Sequence, residues 1–140
     1  MALANPAGHW QPYPATTARI RQLGGLETGW NGHHAARIAQ ASQDAAVRFL
    51  ERVWNEFKTS VAEPTVVAPT SDGGVALEWI VKDGDRERGV EIVCMPSRYE
   101  YSIRNRGTRR LEDDSEAADV QTILFNVIKP HVAGHFILAR

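Results

Sequence analysis

A chain of 140 residues, 43% of them hydrophobic, fits one domain with a real core. Sixteen Lys and Arg against seventeen Asp and Glu give a formal net charge of -1, which excludes a global field marking a nucleic-acid or membrane-surface binder. No window approaches the ~20 apolar residues of a membrane span, no basic-then-apolar leader opens the chain, and the lone Cys94 sits in apolar alternation as a buried thiol. A cytoplasmic protein is the expectation.

Residues 1–14 read as an N-terminal arm, because Pro6, Gly8, Pro12 and Pro14 resist helix and strand around Trp10 and Tyr13. The aromatics of this arm are expected to dock on the chain's own core edge, with docking on a partner as the alternative. Residues 15–140 form the single domain. Its first helix is short, with Thr16 or Thr17 as cap and Ile20, Leu23 and Leu26 at three-residue spacing until Gly24-Gly25 weakens it. After Gly29-Trp30-Asn31-Gly32 a longer helix begins. Ile38, Ala41, Ala45, Phe49, Val53 and Phe57 share one side of it, Leu50 and Trp54 lie beside them, and most of the charges fall elsewhere.

Pro64 ends the helical region, and period two takes over. A short leading strand is expected at 65–68, then the turn Ser71-Asp72-Gly73-Gly74. Val75, Leu77, Trp79 and Val81 share a face with Val90, Ile92 and Cys94, and with Tyr99, Tyr101 and Ile103. Asp83-Gly84 and Pro96-Ser97 supply the reversals. After a polar stretch, Asp114 or Ser115 should cap a last helix whose buried stripe is Val120, Ile123, Leu124, Val127 and Ile128, up to Pro130. The apolar tail 135–139 suits either a strand or one more helical turn, the helical turn being favoured. The fold class is therefore α+β: two N-terminal helices, an antiparallel β-meander of about four strands, and a C-terminal helix packed on one sheet face.

The other sheet face carries the functional candidates. Glu78, Glu91, Glu100, Ser102 and Arg104 lie there with Ala76, Ile80 and Val93. A two-residue Pro96-Ser97 loop would set Glu91 opposite Ser102 and Glu100 opposite Val93, with Arg104 diagonal to Glu91. Glu78, Ile80, Glu91, Val93, Glu100 and Arg104 are the candidate partner-binding residues. The same side chains also suit a solvated face with weak ion pairs, or a carboxylate pair for acid and base work.

Other chemistry is thin. His131 and His135 have i, i+4 spacing, but Pro130 and Gly134 disturb the helix a zinc pair needs, and His33 and His34 point different ways. Ser71 lacks a nucleophile elbow, and Gly73-Gly74 lacks a phosphate loop's further glycine. No catalytic residue, metal or cofactor is assigned. Arg98, Arg104, Arg106, Arg109 and Arg110 alternate with Tyr99 and Tyr101 as single-strand nucleic-acid binders do, yet Glu112, Asp113, Asp114 and Glu116 follow at once.

The turn Gly29-Trp30-Asn31-Gly32 before a long amphipathic helix, paired with Pro69-Thr70-Ser71-Asp72-Gly73-Gly74-Val75-Ala76-Leu77-Glu78-Trp79 before a meander, resembles an uncharacterised family of small bacterial proteins. The resemblance covers residues 20–105. Members of that family tend to read Trp-Asp-Gly, whereas this chain has Asn31 followed by His33-His34. The resemblance brings no catalytic residues, and implies gene neighbourhoods that include toxin-antitoxin and defence loci. The leading expectation is a non-enzymatic module that binds a protein partner, as an antitoxin, immunity or accessory protein. The alternatives are a small enzyme using Glu78 or Glu100 with Arg104 at the helix-sheet junction, and a nucleic-acid-binding regulator. A homodimer fits all three.

Overall fold

In a computed structural model the described residues are 10–105, 110–117 and 119–139, with 110–117 described by backbone alone. Helix α1, Pro14–Leu23, starts on a proline whose fixed φ suits the first helical turn and whose missing N–H would have gone unused there. The expected threonine caps are therefore inside the helix. Thr16 and Thr17 are buried, and the Thr16 hydroxyl donates to Glu63 Oε2 at 2.6 Å. The residue before the helix, Tyr13, holds a left-handed φ of 51°. Two contacts secure that conformation: the Tyr13 hydroxyl donates to the Val61 carbonyl at 2.8 Å, and its ring meets Trp54 edge-on with centroids 5.9 Å apart. Trp10 covers the same indole at 5.2 Å. The described part of the arm thus docks on its own domain, while 1–9 lie outside the described residues.

Helix α2, Gln40–Phe57, buries Ala45, Ala46, Phe49, Leu50 and Val53 against the sheet. Ala41, expected on that side, is exposed, because the buried stripe runs through Ile38, Ser42, Ala45 and Phe49 instead. The chain then enters β1, Val66–Pro69, β2, Val75–Asp83, β3, Arg86–Cys94, β4, Tyr99–Asn105, and β5, Arg110–Ala117. These five strands pair antiparallel in sequence order, so the meander has one strand more than expected. The β2–β3 turn is Gly84-Asp85, one residue later than the Asp83-Gly84 reading, with Gly84 supplying the positive φ of 61° that such tight turns favour.

Strand β5 replaces the start of the expected last helix. Tyr99 to Asn105 pair along Ala117 to Arg110, so backbone ladder bonds decide the conformation of a stretch whose polar composition had suggested a loop and a helix cap. A charged outermost strand is also the usual protection against edge-to-edge association. Asp119, four or five residues later than expected, caps the last helix by accepting the Gln121 N–H at 2.9 Å.

This helix, α3, runs through three joined segments: Val120–Ile123, a π-helical turn Leu124–Ile128, and Lys129–His131. Pro130 lies within it, one residue before its end. Its ring would strike the carbonyl four residues back in an ordinary helix, and the wider turn, with Lys129 N–H reaching Leu124 O, opens the room. Ile123, Leu124, Val127 and Ile128 are buried as the spacing foretold, in one cluster with α1, α2 and the inner sheet face. Of the two conformations that suited the tail, the strand is adopted, not the favoured helical turn: Phe136–Ile137 forms β6 beside Lys82 and Val81 of β2. No helix among the described residues is long and apolar enough to cross a membrane.

Candidate functional site

The two glycine-rich segments singled out in the sequence are one structural junction. Gly29 N–H donates to Ala35 O, Trp30 Nε1 donates to Ala36 O at 2.9 Å, and Ala36 N–H donates to Ser71 O at 2.8 Å in the loop before β2. Ala39 N–H reaches Gly73 O. Trp30 is thus half-buried and acts through its indole N–H as well as its ring. Asn31 Oδ1 accepts the His33 N–H at 2.9 Å, a turn bond that an aspartate oxygen would make equally well. His33 and His34 themselves are exposed. The hydroxyl of Thr70, not Ser71, holds the second turn, accepting the Gly74 N–H and donating to Asp72 Oδ1. Turn chemistry accounts for these residues.

The alternation of β2, β3 and β4 sends Val75, Leu77, Trp79, Val81, Val90, Ile92 and Cys94 to the helices, where all are fully buried. Their neighbours form the opposite face. Glu91 pairs across to Ser102 and Val93 to Glu100, with Arg104 one step along from Ser102, as the hairpin spacing had indicated, and the later Gly84-Asp85 turn sets Glu78 opposite Glu91. By register, Ser102 stands opposite Asp114 and Glu100 opposite Glu116. One mostly acidic row, Glu78, Glu91, Ser102 and Asp114, therefore crosses the sheet, beside a row of Ala76, Val93, Glu100 and Glu116. Glu78, Glu91, Val93 and Glu100 are half-buried, and Arg104 is exposed.

Ile80 departs from its expected role. At 7% exposure it offers little surface, although it belongs to the open face. The tail beside it explains part of this: Leu138 N–H donates to Ile80 O, Ile80 N–H donates to Thr65 Oγ1, and the Thr65 hydroxyl donates to Leu138 O. Together β1, Thr65, Leu138 and β6 also occupy the outer edge of β2. Its neighbour across β3 is Gly89, which carries no side chain. Three of the candidates, Glu78, Glu91 and Glu100, thus gather at the centre, while Ile80 belongs to the packed margin.

Electrostatics set Glu91 apart. Burial pushes its carboxyl above the ordinary carboxylate value, Glu78 directly opposite pushes the same way, Arg104 opposes, and Glu100 adds a further push upward. Arg98 Nε holds Glu100 Oε1 at 3.2 Å, in a pair too exposed to contribute more than ~1 kcal/mol. A carboxyl raised in the folded state is a stability loss that is complete above its folded value and disappears as pH falls towards its ordinary one. Glu91→Gln is therefore expected to raise the melting temperature at neutral pH. The gain should shrink on acidification through the range just above the ordinary carboxylate value, and a pH series of thermal melts for both proteins checks this.

The same geometry places the other sequence readings. Glu78, Glu100 and Arg104 stand on the sheet face opposite the one that packs on the helices, not at a helix-sheet junction of the described residues. Arg98 and Arg104 lie among carboxylates, whereas Arg106 and Arg109 fall outside the described residues. Burial raises the Cys94 thiol far above its ordinary value, as an inert core thiol requires. His135 Nε2 meets Pro130 O at 3.1 Å, and no group of three or more metal-ligating side chains gathers among the described residues. Compared with known proteins, the chain matches no family model, no curated protein and no solved structure.

Proposed function

We propose that the chain is a non-enzymatic interaction module that binds a basic surface of a partner protein on its open sheet face, through Glu78, Glu91 and Glu100 with Val93 among them. The observation that supports this most is one-sidedness: α1, α2 and α3 share a single core with the inner face, which leaves the outer face with half-buried carboxylates drawn together. The acidic charge of this face is complementary to a partner's Arg or Lys, which steers such a surface on to it. Half-buried Val93 adds an apolar spot within a charged surround. Within this class, the resemblance of the two turn motifs favours an antitoxin, immunity or accessory protein working in the cytoplasm. A homodimer is a compatible state of the module.

The test is a charge reversal. Glu78→Lys with Glu91→Lys is expected to keep the circular dichroism of the parent and weaken capture of the partner from the native host by at least about a hundredfold, since juxtaposed like charges cost several kcal/mol. Glu56→Lys, an exposed change on α2, should leave capture intact. Capture that survives the sheet-face reversal would remove the assignment. Recovery of nucleic acid in place of protein, seen as excess absorbance at 260 nm, would overturn it in favour of a nucleic-acid-binding regulator.

A further inference from the structure

On the helical side of the molecule, Arg48, Glu51, Arg52 and Asn55 of α2 line an open cleft of about 330 Å³ with Tyr99 of β4 and Val120 of α3. That volume falls at the lower end of the range of small-molecule sites. Three features give the cleft a definite chemistry. Arg48 and Arg52 are one helical turn apart on one face, so two guanidinium groups reach the same space, and among the described lining residues Glu51 is the one carboxylate beside them. Arg52 is held from a second element, its Nη2 donating to Gln121 Oε1 at 2.7 Å, which fixes the group and leaves other N–H donors for a ligand. The Tyr99 hydroxyl donates to Ala45 O at 3.3 Å, and its ring packs on Phe49 with centroids 5.6 Å apart, so the aromatic wall is anchored.

We propose that this cleft binds a small molecule bearing an oxyanion, a phosphate or a carboxylate, on an apolar or aromatic body. The oxyanion lies between Arg48 and Arg52, where planar donor forks match its oxygens, and the body lies against Tyr99 and Val120. The positive field is already felt by the wall: both arginines counter the upward push of burial and of Cys94 on the Tyr99 phenol. The half-buried Val120 and Tyr99 give the apolar part a surface to cover. This site is separate from the acidic sheet face, and its occupancy does not depend on that face having a partner.

Titration with phenyl phosphate, benzoate, inorganic phosphate and phenol at constant ionic strength, followed by calorimetry and by the Tyr99 ring resonances, tests the proposal. Phenyl phosphate or benzoate is expected to saturate, at least tenfold tighter than inorganic phosphate and phenol, and the stronger of the two identifies the oxyanion. Arg48→Gln with Arg52→Gln should weaken that binding at least tenfold. Both positions are exposed, so the fold should survive, and an unchanged melting curve verifies it. Failure of both aromatic anions to saturate into the millimolar range, or equal binding by the double variant, would overturn the proposal.

Discussion

Trp79→Ala is expected to leave the domain largely unfolded. Trp79 is fully buried at the middle of β2, among the largest side chains of the core, and its indole Nε1 donates to Ala62 O at 2.9 Å. Truncating a buried tryptophan costs ~3–5 kcal/mol, and the carbonyl left behind loses its partner, for about 1 kcal/mol more. Domains of this size are stable by only about 5–15 kcal/mol. The loss is thus comparable to the lower part of that range. Urea unfolding followed by far-ultraviolet circular dichroism reads it directly, and Trp79→Phe should retain most of the lost stability. An alanine variant within 1 kcal/mol of the parent on that scale would show that β2 is not the centre of the core.

The second large effect is expected at Gly73. Its φ of +94° is one that side chains adopt only under strain, and a methyl group there would stand 3.0 Å from the backbone oxygen of Arg37. Backbone strain of this kind costs ~1–3 kcal/mol, and the loop before α2 must also give way, so Gly73→Ala should lose at least ~2 kcal/mol. Gly84→Ala is the matched control. Its φ is +61°, but nothing lies within 4 Å of the added carbon, so it should lose clearly less. Equal losses at the two glycines, measured by denaturant midpoints, would mean that the junction between the two glycine-rich segments is not tightly packed.

That junction shows where sequence reasoning reached and where it stopped. Gly29-Trp30-Asn31-Gly32 and Ser71-Asp72-Gly73-Gly74 were each legible as turns from glycine alone, but nothing local indicated that Ala36 and Ala39 would donate to the second turn. The strands β2, β3 and β4 were readable because alternation and a short Pro96-Ser97 loop fix register, and Glu91 does face Ser102. Strand β5 was not. Six of its eight residues are charged or polar, so its strand character comes from pairing with β4, a long-range cause invisible in a local window. The π turn and the β6 tail share that origin: Pro130 signalled an interruption, and packing decided that the helix would widen and the tail would join β2.

The candidate site was legible to the same extent as the sheet. Alternation placed Glu78, Glu91 and Glu100 on the open face. It could not show that Ile80 is covered at the margin, because β6 and Thr65 reach it from distant parts of the chain. Nor could it reveal the Arg48 and Arg52 cleft, whose lining comes from α2, β4 and α3. The i, i+4 arginine pair was the one local signal, and in isolation it reads as part of a solvated helix face.

Carboxylate labelling tests the docking face most directly. The chain is treated with a water-soluble carbodiimide and an amine, once purified and once in undisturbed extract of its native host, and each glutamate's modification is read by peptide mass spectrometry. The open-face account predicts that Glu78, Glu91 and Glu100 are labelled in the purified protein and protected in the extract, while the exposed helix residue Glu56 is labelled alike in both. Equal labelling of the three sheet-face glutamates in both samples would contradict it.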